Sequence, residues 1–359
     1  MDKLPSEMWA MVTTSQGGFE KLQYRRVPLP QIQENEVLIQ VSAAGINNTE
    51  INTRLGWYSD KVNKGTQQLQ EKEEEEDKPD GGWGKPTPFP LIQGTDCCGQ
   101  VIACGSGKLA HLLGQRILVR PCMASQCQNN YTPWFGSDID GSFAQFTAVP
   151  ATEVFPVHSD WSDIELASIP CAYGTAENLL TLAELKKDES ILITGASGGV
   201  GSAAVQLAKI RGAQIYGLCG HTKMDDLKKL GATPLNRSIP LDQQIKSIQM
   251  DTVLDMVGGE NFPQLFETIK RGGRYVSSGA IAGPMVSLDL RKLYLKDITM
   301  KGGTAWQPGV FENLISYIEE GKIHPLIWKS MPMDKMVEAQ KEFLQKKHFG
   351  KMVLLPNPL

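Results

Sequence analysis

The chain has almost no imbalance of charge. Its 36 lysines and arginines face 40 aspartates and glutamates, a formal net charge of −4 over 359 residues, and no basic surface for nucleic acid follows. Long apolar runs are also missing. The opening segment, MDKLPSEMW, carries acids and a proline where a secretory leader needs a basic start and an apolar stretch, so the chain reads as cytoplasmic with no membrane partner. The seven cysteines, Cys97, Cys98, Cys104, Cys122, Cys127, Cys171 and Cys219, form no repeated CxxC framework, which favours reduced thiols and argues against structural zinc. The five histidines, His111, His158 and His221 among them, fall in no dyad or ligand spacing. What remains is an ordinary soluble composition, 41% apolar and 21% charged, in a chain long enough for two domains.

Two patterns divide it. The first 55 residues alternate in strand fashion, as in EVLIQVSAAGI from Glu36 to Ile46, with no long helical period interrupting them, and a second such region runs from Thr87 to Val157. Between them QQLQEKEEEEDKPDGGWG, 67–84, cannot bury a core; it is either a plain solvated insertion or a cover over a site. From about Ser162 short β-branched strands alternate with amphipathic helices, which demands a parallel, doubly wound sheet with right-handed crossovers. The last part, 306–359, carries two helical stretches and a closing strand, GKMVLL, placed to return to the N-terminal β unit.

ILITGASGGVGSAAVQLAKIRGA, Ile191 to Ala213, joins a strand to a helix through Ala196-x-Gly198-x-x-Gly201, the position of a dinucleotide fingerprint. Gly198 would let the backbone approach a pyrophosphate, Gly201 would permit close helix packing, and the helix start, with Ser197, Gly199 and Val200, would present free amides to the anion. Ala196 in place of the first glycine makes the fingerprint a variant. The next strand, Gln214 to Cys219, runs into Gly220, His221, Thr222 and Lys223, with no acid before Asp225. A carboxylate there would bind the ribose hydroxyls of NAD; hydroxyl and ammonium donors suit the extra phosphate of NADPH. Lys223 is either that phosphate ligand or a solvated lysine at a helix start.

TGASGGVGSAAVQLAK together with GINNTEIN, LDMVGGENF, GGRYVSSGAIAG and the terminal GKMVLLP resembles the medium-chain dehydrogenase/reductase superfamily over nearly the full length, and within it the zinc-free quinone oxidoreductases and enoyl reductases. The resemblance implies a GroES-like β-barrel catalytic domain, 1–157 and 303–359, around a Rossmann NADP-binding domain, 158–302. It also implies a cofactor in the cleft between them and a homodimer. Further cofactor contacts implied by matching segments are Thr175, Val257, Gly258, Gly279, Gly303, Thr304 and, from the closing strand, Lys351.

Zinc-dependent members bind their catalytic metal through a cysteine, a histidine and a second cysteine. Here those positions hold Asn47, Thr95 and Cys171, and an amide with a hydroxyl cannot replace thiolate and imidazole, so no metal is expected. Negative charge developing on substrate then needs hydrogen-bond donors. Asn47, Thr49 at the family's proton-relay position, and Tyr58, spaced as in mitochondrial-type enoyl thioester reductases, are the candidates. Tyr58 is either a proton donor to an enolate or an aromatic packed under the insertion. These readings converge on a zinc-independent NADPH-dependent reductase of an activated C=C bond in an enone, enoyl or quinone substrate. Carbonyl or imine reduction, and a non-catalytic NADPH-binding protein, are the alternatives.

Overall fold

The computed structural model describes residues 4–71, 85–129, 131–246 and 248–358. Of the acidic insertion, 72–84 lie outside the described residues; its start forms a short helix, Thr66–Gln70. The chain divides into two compact units. The first comprises Met1–Val62, Lys72–Cys171 and Phe311–Leu359, and the second Asn63–Glu71 and Ala172–Val310.

Strands of the first unit are β1 (Glu7–Thr13), β2 (Leu22–Pro28), β3 (Glu36–Gly45), β4 (Leu91–Ile92), β5 (Cys98–Cys104), β6 (Arg116–Val119), β7 (Phe146–Pro150) and β8 (Val154–Pro156). The second unit contributes β9 (Ser190–Ile193), β10 (Gln214–Cys219), β11 (Thr233–Asn236), β12 (Met250–Asp255), β13 (Ile269–Ser277) and β14 (Thr299–Gly302). The chain then returns to the first with β15 (Ile327–Pro332) and β16 (Lys351–Leu355).

β3 organises the first unit. It pairs with β5, β7 and β16, so both of its edges are engaged, and the apolar residues of its two faces feed two cores. One is built around Leu38, Ile46, Ile51, Phe143 and Met352, the other around Val37, Ile39, Ile117 and Phe135. The closing strand lies antiparallel to β3, with Val353 opposite Gly45 and Leu354 opposite Ala44, the return that the GKMVLL pattern implies. Residues 158–171, which the sequence pattern joins to the helix-strand region, group with this unit. The Arg116 guanidinium holds them by donating to the carbonyls of Trp161, at 2.9 Å, and Ser159. In the segment after Cys127 one carboxylate orders the chain: Asp138 accepts from the Tyr131 hydroxyl at 2.5 Å and from the Trp134 amide at 2.8 Å.

The sequence pattern shows only strands before residue 55, whereas the structure has a helix, α1 (Asn48–Leu55). Local signals outweigh the alternation. The Asn47 amide donates to the Glu50 carboxylate at 2.7 Å, as in a capping box. At the other end Gly56 adopts φ 69°, the left-handed conformation that stops a helix.

In the second unit all strand pairings are parallel, and the order is β11-β10-β9-β12-β13-β14. Counted from β9 this is the doubly wound order of dinucleotide-binding folds, whose ligands bind beyond the carboxyl ends of the strands. The GroES-like and Rossmann-type fold classes implied by the motifs are both present.

Candidate functional site

At the carboxyl end of β9 the chain turns through Gly195, at φ 57°, into helix α2 (Gly199–Ile210). The amides of Gly199, Val200 and Gly201 precede the first intrahelical bond, from Ser202 N to Gly198 O at 2.9 Å, and are available to an anion. Gly201 is fixed by packing, since an added Cβ would lie 2.2 Å from Gly195 O and 2.7 Å from Ala196 Cα. The variant first position has a physical counterpart. Ala196 is tolerated because Gly217 faces it from β10, where a second Cβ would come 2.9 Å from the Ala196 methyl.

The end of β10 carries the ribose-side candidates. His221 and Thr222 are exposed and Lys223 is half-buried. Burial lowers the Lys223 pKa, and the charge of Arg237 lowers it further. Arg237 follows β11, and the pairing of Cys219 with Asn236 delivers it there, its amide donating to Cys219 O at 2.9 Å. Two cations thus meet where an NAD site keeps a carboxylate. No local pattern signals the second, which is fourteen residues beyond Lys223 and arrives only through strand pairing.

One buried carboxylate organises the loop after β12. Asp255 accepts from the Thr194 hydroxyl at 2.6 Å, the Val257 and Gly258 amides at 2.9 and 3.2 Å, and the Tyr275 hydroxyl at 2.7 Å. Burial raises the Tyr275 pKa, as does the neighbouring Asp255 charge, so the phenol stays a donor. Gly258, at φ 63° and ψ −150°, has a conformation that side chains exclude. Gly279 lies against the Met256 carbonyl, Gly303 donates to Ser277 O at 3.0 Å, Thr304 is exposed, and Thr175 is buried. Asp255 therefore sets the positions of Val257 and Gly258, a role that LDMVGG alone does not reveal.

In the first unit Asn47, Thr95, Asp96, Glu50 and Lys351 form one buried cluster. Lys351 Nζ donates to Asn47 Oδ1 at 2.5 Å, Asp96 Oδ2 at 2.7 Å and Ile46 O at 3.0 Å. Asn47 Nδ2 in turn donates to Asp96 Oδ2 at 2.9 Å and Thr95 Oγ1 at 3.1 Å. The Thr95 hydroxyl donates to Glu50 Oε1, which also accepts from the Thr95 amide at 3.0 Å. Burial raises the Glu50 pKa, with Asp96 adding to the rise and the Thr95 and Lys351 interactions opposing it. Asn47 and Lys351, assigned in the sequence to substrate and cofactor, have their polar atoms engaged with one another and with this cluster.

Tyr58 stands beside it. The turn at Gly56 carries the chain off α1, and Trp57 N donates to Asn52 O at 2.9 Å, bringing the phenol back against its own helix. There its hydroxyl is hydrogen-bonded to Asn52 and Thr49, one turn apart on α1. Burial raises the Tyr58 pKa, Glu50 adds to the rise and the Asn52 and Thr49 hydrogen bonds oppose it, so the phenol is protonated near neutral pH. A half-buried phenol bonded to a threonine of α1 can act as a proton donor.

The three metal-ligand positions do converge. Cys171 donates its amide to Asp96 Oδ1 at 2.6 Å, and its thiol contacts Thr95. They do not suit zinc. Only the second cysteine position keeps a thiol, and burial raises the Cys171 pKa, with Asp96 adding to it. An amide and a hydroxyl complete the set, and a lysine ammonium is bonded to the amide oxygen. Among the described residues no group of three or more histidine, cysteine, aspartate or glutamate side chains could hold a metal ion.

Two family models match the chain: an alcohol dehydrogenase GroES-like domain over residues 33–159 and a zinc-binding dehydrogenase domain over residues 199–320. A crystal structure of a candidate alcohol dehydrogenase from Sinorhizobium meliloti is 36% identical and superposes with a TM-score of 0.90, covering 99% of each chain. An acryloyl-coenzyme A reductase from Metallosphaera sedula is 27% identical over 74% of this chain and 83% of its own. Polyketide synthase GfsB of Streptomyces halstedii is 25% identical over 91% of this chain, which spans only 5% of that much longer protein. No helix among the described residues is long and apolar enough to cross a membrane.

Proposed function

Because the chain belongs to the medium-chain dehydrogenase/reductase superfamily, an oxidoreductase family that binds a nicotinamide cofactor, we propose that it is a zinc-independent, NADPH-dependent reductase of an activated C=C bond. The observation that carries the reading is the presence of two cations, Lys223 and Arg237, beyond β10 and β11, together with metal-ligand positions held by an amide bonded to the Lys351 ammonium and by a hydroxyl. The reduced nicotinamide, when bound, supplies the hydride.

The chain's own residues do the rest. Gly198, Gly199, Val200 and Gly201, with Ser197, hold the pyrophosphate; Gly220, His221, Thr222 and Lys223, joined by Arg237, hold the ribose phosphate. Thr175, Val257, Gly258, Gly279, Gly303 and Thr304 line the nicotinamide end. Tyr58 gives its phenolic proton to the enolate carbon once the β-carbon has been reduced, and Thr49, hydrogen-bonded to it, relays a replacement proton. The acryloyl-coenzyme A reductase likeness supports a conjugated substrate. The candidate alcohol dehydrogenase likeness favours a second reading, carbonyl or imine reduction, in which Tyr58 donates to oxygen or nitrogen.

NADPH consumption measured against a panel of enones, enoyl thioesters, quinones, aldehydes and imines separates these. Turnover of the first three classes is expected, turnover confined to aldehydes or imines selects the second reading, and tight NADPH binding without turnover of any class removes both. Tyr58→Phe should slow turnover about a hundredfold with NADPH affinity unchanged, the loss of one general acid; an unaltered rate returns Tyr58 to packing. A homodimer also belongs to this proposal. It is supported by exposed Met285, Leu290, Tyr294 and Leu295 near β14, the edge strand that carries exposed Met300, and a monomeric sedimentation coefficient would remove it.

A further inference from the structure

We propose that the Lys351 ammonium is the resident cation of the locus formed by Asn47, Thr95 and Cys171, standing in for a metal and positioning the hydrogen-bond donors around it. The ammonium has three N–H bonds and meets three acceptors, Asn47 Oδ1 at 2.5 Å, Asp96 Oδ2 at 2.7 Å and Ile46 O at 3.0 Å. At 3% exposure it has no share in solvent. A divalent ion entering this locus would meet a positive charge already bonded to the side chain in the first ligand position and to the carboxylate beside the second.

The saturation has a directional consequence. With its Oδ1 held by Lys351, the Asn47 amide must turn its Nδ2 donors toward Asp96 and Thr95. Thr95 Oγ1 then accepts from Asn47, which leaves its single proton for Glu50. The four residues form a one-way chain of donors, from the fixed cation through amide and hydroxyl to a carboxylate on α1, the helix that bears Thr49 and Asn52, the hydrogen-bond partners of Tyr58. Remove the cation and Asn47 Oδ1 loses its donor, so the amide is held from its Nδ2 side alone, by Asp96, Thr95 and Glu50. Lys351 is thus a positioning residue that acts through Asn47, Thr95 and Glu50.

This inference rests on the zinc-independent part of the proposed function and not on the bond reduced, and its main readouts, metal content and melting temperature, need no substrate. Wild-type protein exposed to zinc and then dialysed should retain only substoichiometric metal by elemental analysis, with no change in melting temperature. Lys351→Met strands the buried Asp96 charge and should melt lower. Adding Asp96→Asn should recover part of that loss, because it removes the stranded charge. The double variant Lys351→Met/Asp96→Asn, free of the stranded charge, should fold without metal. It should lose about tenfold or more in kcat while KM for NADPH stays level, as expected for misplaced donors. Should Lys351→Met not fold, the wild-type metal analysis and the double variant decide alone. One tightly held zinc per wild-type chain, or a double variant with wild-type kcat, overturns the proposal.

Discussion

The phosphate end of the second unit and the polar cluster of the first are built by opposite means. Around Gly195–Gly201 the site consists of backbone amides and of places where side chains are missing: a left-handed glycine, a helix start, and Gly217 leaving room for Ala196. Around Lys351 it consists almost wholly of side chains that saturate one another in the absence of bulk water. At Gly201 the backbone site tolerates no added atom, because the main chain it would meet cannot move aside without carrying the helix with it. A side-chain site tolerates changes of size better than changes of hydrogen-bonding character, since each group lost leaves a partner buried and unsatisfied.

Adding one carbon to the first is the sharpest way to test this contrast. Gly201→Ala places a methyl 2.2 Å from Gly195 O, so we expect about 3 kcal/mol of destabilisation, with NADPH binding lost, measured by thermal unfolding and fluorescence titration. A stable variant that binds normally would mean that the helix start yields. Removing one hydroxyl from the second comes next. Thr95→Val keeps the shape, yet strips a donor from Glu50 and an acceptor from Asn47, so about 2 kcal/mol should be lost in chemical denaturation with NADPH affinity intact. A neutral effect would show the cluster to be slack.

The smallest effect is expected at the exposed edge between these extremes, where side chains serve the cofactor. Lys223→Ala or Arg237→Ala should each cost about tenfold in NADPH affinity and leave NADH affinity unchanged. Because burial and Arg237 lower the Lys223 pKa, its charged form is lost at a lower pH than for an ordinary lysine. Binding to a phosphate dianion favours that charged form. Wild-type preference for NADPH over NADH should therefore decline as pH rises toward the lysine range, with proton uptake on NADPH binding in that interval, and Lys223→Ala should flatten the profile. A preference independent of pH would move the phosphate away from Lys223.

What could be read from the sequence follows the same contrast. The backbone site announces itself locally, because glycines, a strand and a helix start lie within one short stretch, and the parallel sheet followed from the alternation around it. Of the cluster, Asn47, Thr95 and Lys351 were legible one by one, Glu50 and Asp96 were not, and their partnership was legible nowhere. Lys351 meets Asn47 because β16 pairs with β3 in a register that places Val353 against Gly45, a contact between residues some three hundred apart that no local pattern encodes. Arg237 was invisible for the same reason, delivered by the pairing of β11 with β10. Helix α1 was missed although its signals, Asn47, Glu50 and Gly56, stand in the sequence, because a strand pattern ran into it without a break.

The route of the chain between its two units bears on how the molecule can be taken apart. The boundary is crossed four times, after Val62, Glu71, Cys171 and Val310, and the short excursion Asn63–Glu71 docks on the second unit through Thr66 N and Ile281 O at 3.0 Å. A protein cut to residues 172–310 would keep the whole parallel sheet and still lack a piece of its own surface beside the loop that follows Gly279. The smallest faithful copy of the second unit is two segments of chain, and splitting or permuting this protein must respect that join before it respects any border between folds.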